Sequence, residues 1–387
     1  MAVLIESSRS YGRGLLQGIA QYARERADWR MDFQERELQS GLPGWLKNWK
    51  GQGILARVED QAMARSLLKL KVPIVDLRRL VPGESIPSVH TDESKVVRLV
   101  VAHFQERGFQ HFGFCGFPGL DFSDMRAALL DRELGNHGLK CELYTPPAAA
   151  SHPFTVEYEQ EGMEAEDHLA RWLDQLPKPI GILACNDIRG QQVLNACRRS
   201  GIAVPEQVAV LGVDNDEVLC GLSDPPLSSV TPDTRRIGYE AAALLNRLMH
   251  CEPAKEEDVY VEPLGIVTRR STDTVVIPHA GAARALAFLR RHYQERVTLK
   301  DLAADLPVTL RSIQEVFKAR VGRSLHEELE RLRADHAKAL LQDSTLKLEV
   351  IAAASGFSNP RHLRRALMRK TGRSPQQYRR ELKKLSG

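Results

Sequence analysis

Four polar clusters stand at the ends of short apolar runs, and their residue types are those that hold hydroxyl groups. Ser7-Ser8-Arg9-Ser10-Tyr11 follows Val3 to Glu6, with Arg13 two residues on; Phe122-Ser123-Asp124-Met125-Arg126 follows Phe112 to Gly116. Cys185-Asn186-Asp187 follows Gly181 to Ala184, and Val213-Asp214-Asn215-Asp216 follows Val208 to Gly212. Arg, Asn and Asp offer paired donors or acceptors that grip two neighbouring hydroxyls, while Tyr11 and Phe122 offer flat apolar faces to C–H groups. A small polyol suits such a set. The candidate ligand residues are Ser8, Arg9, Tyr11, Arg13, Phe122, Arg126, Asn186, Asp187, Asp214 and Asn215. Taken singly, Asp187 and Asp214 read equally well as helix N-caps; recurrence at four strand ends is what argues for a cleft.

A different chemistry sits near the C-terminus, where Arg361, Arg364, Arg365, Arg369, Lys370, Arg373, Arg379 and Arg380 crowd together. Arg361, Arg364 and Arg365 lie near the start of a helix opening at Asn359-Pro360, and Pro suits the first helical position. The N-terminal end of a recognition helix reaches base edges, where an arginine gripping guanine with two hydrogen bonds contributes about 1 to 3 kcal/mol of discrimination. Asn359 belongs with this group, and Arg311, Ser312 and Gln314 are the equivalents in an earlier copy of the motif. Any one of these charges reads equally as a solvated face or a phosphate contact without sequence information.

The elements that must carry these residues differ between the two regions. Up to about residue 275, near-continuous apolar runs at Val3 to Glu6, Gly53 to Ala56, Pro73 to Leu77, Phe112 to Gly116, Gly181 to Ala184 and Val208 to Gly212 read as buried parallel strands. Helical stretches alternate with them at Gly14 to Arg26, Gln61 to Leu70, Lys95 to Arg107, Met125 to His137, Ala165 to Leu176, Ile188 to Ser200 and Arg235 to Met249. That alternation predicts two successive open α/β sheets with helices on both faces, with ligands at the carboxyl ends of the strands. Thr268 to His279 reads as the linker to an all-helical tail.

The tail repeats itself. Ile313, Phe317, Gly322, Arg323 and Ser324 recur 50 residues on as Leu363, Leu367, Gly372, Arg373 and Ser374. Upstream the offset is 49, so that Leu302, Ala303 and Thr309 answer to Ile351, Ala352 and Ser358. Each copy predicts a helix with small Ala residues, a tight turn at Pro307 or Gly356, a hydroxyl N-cap and a second amphipathic helix ending at Gly. Small residues that let two helices cross closely are the mark of helix-turn-helix packing.

Charge follows the same division. The whole chain holds 54 Lys and Arg against 50 Asp and Glu, but residues 276–387 hold 23 against 11 and the first 275 hold 31 against 39. An acidic body thus carries a basic tail suited to an anionic partner. The opening apolar run is too short for a signal peptide and is followed at once by Arg9 and Arg13, and no segment reaches the roughly 18 apolar residues of a membrane span. A cytoplasmic, nucleoid-associated protein without membrane partner is expected. Six scattered cysteines show no C-x-x-C and no zinc spacing, so buried free thiols are expected and no metal. Nor is there a G-x-S-x-G, a Walker A or a G-x-G-x-x-G after a strand; Tyr11-Gly12-Arg13-Gly14 lacks its third glycine, which Gln17 replaces. Neither enzyme chemistry nor a cofactor is indicated.

The tail resembles the AraC-type DNA-binding domain through Gly356-Phe357-Ser358 and Gly372-Arg373-Ser374-Pro375-Gln376-Gln377-Tyr378-Arg379. The body resembles the periplasmic-binding-protein fold of LacI-type repressors through Cys185-Asn186-Asp187 and Gly212-Val213-Asp214-Asn215. The resemblance covers nearly the whole chain. It implies a two-lobed sugar sensor over 1–275, with lobe 1 at about 1–109 and 232–250, lobe 2 at about 110–231 and 251–275, and hinges near 109, 231 and 250. Residues 276–387 become a DNA-binding domain with two helix-turn-helix units, which would enter successive major grooves about 34 Å apart. Two departures stand out: Glu315 occupies a position where basic residues are common, and Phe122 stands in the place of a sugar-stacking Trp.

By this resemblance the chain is a homodimeric regulator that binds operator DNA and a small sugar, a pentose such as xylose, and activates pentose or related sugar catabolism through RNA polymerase. The alternatives are the same architecture answering to another sugar or acting as a repressor. A DNA-repair methyl acceptor needs an activated cysteine beside a base, and no Cys here has such neighbours. A transport protein lacks a reason for the repeated helix-turn-helix.

Overall fold

The computed structural model describes the chain apart from residues 39, 80–85, 147–165, 252–257, 278, 296, 298–300, 302–309, 344–345 and 386–387. It divides into two compact units, Met1–Thr274 and Val275–Gly387.

The first unit contains two sheets. Strands β1 (Ala2–Leu4), β2 (Asp32–Phe33), β3 (Ile54–Ala56), β4 (Ile74–Asp76), β5 (Ser88–Thr91) and β11 (Asp258–Val261) form the first, in the order β11-β5-β4-β3-β1-β2 and parallel throughout. Strands β6 (His111–Cys115), β7 (Cys141–Leu143), β8 (Ile180–Ala184), β9 (Val208–Val213), β10 (Ser228–Thr231) and β12 (Gly265–Val267) form the second, in the order β12-β10-β9-β8-β6-β7. Only the β10–β12 pair in it is antiparallel. The helices are α1 (Ser10–Arg26), α2 (Gln61–Leu68), α3 (Glu93–Glu106), α4 (Asp121–Asn136), α5 (Glu166–Gln175), α6 (Asp187–Arg199), α7 (Glu217–Leu222) and α8 (Thr234–Met249).

The apolar runs are explained by burial on both faces. In β1, Val3 packs with Leu15 and Ile19 of α1 and Ile237 of α8, while Ala2 and Leu4 pack with Met63, Ala64 and Leu67 of α2. A strand covered on both sides gains nothing from alternating polarity. Helices α1 and α8 press closely together: a Cβ at Gly18 would overlap the Arg235 carbonyl oxygen, and one at Gly238 the Leu15 carbonyl oxygen. Of the glycines opening α1, Gly14 also serves helix packing, since a Cβ there would strike Thr234, whereas one at Gly12 would strike the Glu6 carbonyl oxygen.

Three expected boundaries move. Helix α3 packs on the second sheet, where the Phe104 ring fills the space a Cβ at Gly181 would take and meets Phe112 at 6.3 Å between ring centroids. The first crossing between lobes thus lies at Asp92, after β5, rather than near 109. Strand β11 pairs with β5, so the last crossing falls at residues 262–264 instead of 250. The expected linker is also shorter: Ser271 and Thr272 are fully buried within the first unit, with Ser271 Oγ donating to the Val210 carbonyl at 2.6 Å and Thr272 Oγ1 to Ser228 Oγ at 2.8 Å.

The second unit is all helical, as expected: α9 (Ala280–His292), α10 (Leu310–Val321), α11 (Leu325–Asp343), α12 (Leu348–Ala354), α13 (Pro360–Thr371) and α14 (Pro375–Leu385). Helix α11 serves two cores. Leu325, Leu329 and Leu332 pack with Ile313 and Phe317 of α10 and Leu286 of α9, while Ala334, Ala337 and Leu341 pack with Ile351 of α12 and Leu363 and Leu367 of α13. Helices α10 and α13 end at Gly322 (φ 75°) and Gly372 (φ 68°), whose left-handed conformation suits glycine. Leu302, Ala303, Pro307 and Thr309 of the first copy lie outside the described residues.

Candidate functional site

The carboxyl ends of both sheets open into a cleft of about 570 Å³. Ser8, Arg9, Tyr11, Arg13, Phe122, Arg126, Asn186, Asp187 and Asp214 all line it. Asn215 does not; its side-chain oxygen accepts from Arg269 Nη2 at 2.8 Å and its amide donates to Ser229 Oγ at 3.0 Å, which fixes the turn behind the cleft. Arg13 is spent partly on its own loop, donating to the Ser7 and Ser8 carbonyls at 3.0 and 2.8 Å.

The capping alternative also resolves, one or two residues away from where the sequence suggested. Asn186 caps α6 by accepting from the Arg189 amide at 2.9 Å, and Asp216 caps α7 by accepting from the Val218 and Leu219 amides at 3.0 and 3.2 Å. Asp187 instead braces the turn that follows β9: one oxygen accepts from Ser229 Oγ at 2.6 Å and the other from the Asp216 amide at 2.7 Å. Burial, then the neighbouring Asp214 charge, pushes the Asp187 carboxyl up to about 7. Asp214 itself sits in a left-handed backbone (φ 108°), followed by Asn215 at φ 48°. Such a conformation is costly for a non-glycine residue and is tolerated where it aims a side chain. Burial raises the Asp214 carboxyl to about 6, against the pull of Arg126.

Arg126 is held rigidly. Its Nε and Nη2 donate to the two carboxylate oxygens of Glu93 at 2.7 and 2.8 Å, and Nη1 donates to the Cys185 carbonyl. The guanidinium also lies 5.8 Å from the Phe122 ring centre, and Arg57 lies 4.9 Å from that of Tyr11, whose hydroxyl meets Thr91 Oγ1 at 3.2 Å. These contacts orient both rings without closing the cleft.

Sequence reasoning missed Glu6, Arg57, Arg78, His90, Thr91 and Glu93, all cleft residues. Arg57 and Arg78 directly follow apolar runs recognised as strands, so the strand-end rule applied evenly points to them. His90, Thr91 and Glu93 belong to or follow β5, whose Ser-Val-His-Thr gives no apolar run.

In the second unit Asn359 caps α13, accepting from the His362 amide at 3.0 Å, with Pro360 in the first turn. Arg361, Arg364 and Arg365 are exposed, while Leu363, Ala366 and Leu367 fill the core behind them. Arg369 and Lys370, further along the helix, instead pair with Glu330 and Asp335 of α11. On α10, Arg311 and Ser312 are exposed and Gln314 half-buried; Glu315 pairs with Arg311 at 3.3 Å. Glu315 therefore offsets an arginine of its own helix.

Among the described residues no cluster of His, Cys, Asp or Glu is placed to hold a metal, and no helix is long and apolar enough to cross a membrane. Cys115, Cys185, Cys197 and Cys220 are buried, and burial pushes the Cys197 thiol up to about 12, opposite to what an activated nucleophile needs.

Residues 1–85 match the XylR N-terminal domain, residues 101–272 a periplasmic binding protein-like domain and residues 302–381 a helix-turn-helix domain. The xylose operon regulatory protein of Escherichia coli (strain K12) is 28% identical over 394 residues, covering 98% of this chain and 96% of that protein. Its counterpart in Haemophilus influenzae is 24% identical, covering 98% and 97%. A solved structure of the xylose-binding transcription activator xylR superposes with a TM-score of 0.78 at 25% identity, covering 98% of this chain and 97% of that one.

Proposed function

From a chain that is an AraC-type helix-turn-helix transcription regulator with a periplasmic-binding-protein-like sensor, homologous to xylose operon regulatory proteins over 98% of its length, we propose how the two units work together. The protein is a sugar-responsive regulator and not an enzyme. A small sugar, of the pentose class and related to xylose, binds between the lobes. Its hydroxyls are held by Asp214, Asn186 and Arg126, and its C–H faces lie against Tyr11 and Phe122. Closure of the lobes then changes how a cytoplasmic homodimer presents its helix-turn-helix units to operator DNA. The outcome is activation of a catabolic operon through RNA polymerase. Arg361, Arg364 and Arg365 read the DNA from α13, and Arg311, Ser312 and Gln314 from α10, with Asn359 holding the start of α13.

One observation carries this: side chains from sequence-distant strand ends, Tyr11, Arg126, Asn186 and Asp214, converge on one cleft of about 570 Å³, a volume that suits a monosaccharide. Thermal-shift screening of the full chain against pentoses and hexoses is the test. A ligand that binds only the folded sensor adds about 2.7 kcal/mol of stability at a hundredfold excess over its dissociation constant. A panel that leaves the sensor transition unmoved contradicts the sugar site.

A further inference from the structure

The two walls of the cleft carry opposite charge. The first lobe contributes Arg9, Arg13, Arg57 and Arg78 against Glu6 and Glu37, whereas the second contributes Arg126 against Glu93, Asp187, Asp214 and Asp216. Internal pairing removes part of each set: Glu6 binds Arg57, Glu93 binds Arg126, and Asp216 is committed to its helix cap. What remains on the second lobe is Asp214, with Asp187 behind it braced by Ser229 Oγ and the Asp216 amide. On the first lobe the side chain of Arg78 forms no hydrogen bond or ion pair among the described residues.

Arg78 is also poorly placed for a lone cation. Burial, then the neighbouring Arg57 charge, lowers its pKa to about 10, even though Glu59, Glu6 and Asp76 pull the other way. Asp76 turns to the backbone instead, its two oxygens accepting from the Val58, Arg78 and Arg79 amides at 2.8 to 3.0 Å. Beside it, the Nε of Arg57 is buried with no acceptor, while Glu6 Oε2 and His90 Nε2 are buried with no donor. His90 Nδ1 faces the Thr91 carbonyl, which leaves Nε2 of the neutral ring as an acceptor. The wall thus presents a half-buried guanidinium with no hydrogen-bond or ion-pair partner among the described residues and an unused N–H, flanked by two acceptors that suit hydroxyl hydrogens.

We propose that the effector is an anionic sugar, whose acid group lies against Arg78 and Arg57 on the first lobe while its hydroxyls donate to Asp214 and the second lobe. A guanidinium binds a carboxylate or phosphate through two parallel hydrogen bonds, and in a desolvated wall such a pair is far stronger than at the surface. A neutral aldose offers the half-buried Arg78 guanidinium no counter-charge as it fills the cleft, so the same residue that favours the acid disfavours the neutral sugar. Polarity also fixes the ligand's direction, because an acid end turned towards Asp187 and Asp214 meets like charge. This assignment rests on the sugar-sensor reading given above and narrows it.

Isothermal titration of the full chain at pH 7.5 separates the two. The probes are matched sets: D-xylose with D-xylonate, D-glucose with D-gluconate and D-glucuronate, and the phosphates D-xylulose 5-phosphate and D-glucose 6-phosphate. The acid of at least one set should bind about tenfold or more tightly than its neutral partner, and this ratio should collapse towards one in Arg78→Gln while Arg78→Lys keeps part of it. An unliganded melting temperature within a few degrees of wild type confirms that each variant folds. Tightest binding by a sugar carboxylate assigns the anion as a carboxylate, and tightest binding by a sugar phosphate assigns a phosphate. A neutral sugar that binds as well as its acid, or an acid preference untouched by Arg78→Gln, overturns the inference and leaves the sugar site standing. Absence of binding by every probe overturns the sugar site itself.

Discussion

Two acidic residues, the fully buried Glu328 in the second unit and the half-buried Asp214 in the first, have been built to opposite ends. Glu328 on α11 is fully buried, yet Arg331 donates to both its oxygens at 2.7 and 2.9 Å and Arg323 adds a third bond. Burial works to raise its pKa, but these arginines overcome it and hold the carboxyl at about 2. Asp214 in the cleft is lifted to about 6 by burial, and no described residue donates a hydrogen bond to it. A satisfied buried charge is part of a scaffold; an unsatisfied one on a strained turn is kept for something that arrives later.

The largest effect expected from this contrast is in the scaffold. Glu328→Ala removes the carboxylate shared by Arg331 and Arg323, leaving Arg331 its bond to Asp335 at 3.1 Å, and should destabilise the second unit by about 3 to 5 kcal/mol. Calorimetry should show the helical unit melting early and DNA binding lost, with the sugar-induced shift of the sensor transition intact. Asp214→Asn is the mirror experiment. It should remove the ligand shift of about 2.7 kcal/mol seen at a hundredfold excess, and leave the unliganded sensor as stable or more so. Loss of unliganded stability in that variant would place Asp214 with the scaffold.

Acid titration sharpens the same comparison. Because the folded pKa values of Asp187 and Asp214 lie above the usual 3.8, their contribution to stability is fully present below about 3.8 and is lost as pH rises through about 6 and 7. Glu328 has the opposite sign: its contribution is present above about 4.5 and lost as pH falls through about 2. Between pH 7 and pH 5 the sensor's unliganded transition should therefore gain from these groups while the helical unit is unmoved by Glu328. Sugar affinity should weaken over the same interval as Asp214 takes up its proton.

Smaller effects belong to the exposed arginines. Arg364→Ala or Arg365→Ala should cost about 1 to 3 kcal/mol of operator affinity if the residue reads a base, with specificity relaxed at one position. If it holds a phosphate, the loss is uniform across sequences and the salt slope falls by about one. Neither variant should alter sensor stability. The smallest change is Asn359→Ala, where losing the cap of α13 should cost about 1 kcal/mol in the melting of the helical unit.

Much of this arrangement is legible in the sequence, because central strands buried on both faces and a repeat at a near-constant offset leave unmistakable patterns. What escapes has a physical cause in each case. β5 and β10 are central strands with polar sequences; Ser88 and Ser228 are fully buried there, Ser88 donating to Asp258 at 2.6 Å and Ser228 donating to the Arg269 carbonyl at 3.0 Å. Hydropathy cannot register such strands. The periodicity of α3 shows that it has an apolar face but not which sheet receives it, so the sequence does not locate the lobe crossing at Asp92. Asn215 has the right type and position for a ligand contact, and only the reach of Arg269 from beyond β12 turns it away. Among the strand-end residues, Arg57 and Arg78 required nothing more than the rule already applied to the other strands.

The central claim is that occupancy of the cleft and occupancy of DNA are linked. The direct measurement is the affinity of the full chain for an operator fragment selected from random-sequence DNA, with and without saturating sugar, together with the sugar affinity with and without that fragment. Linkage requires the two ratios to be equal, and a coupling of about 1 to 3 kcal/mol predicts a change of about 5- to 150-fold in each. Two affinities that are each unmoved by the other ligand would contradict the account.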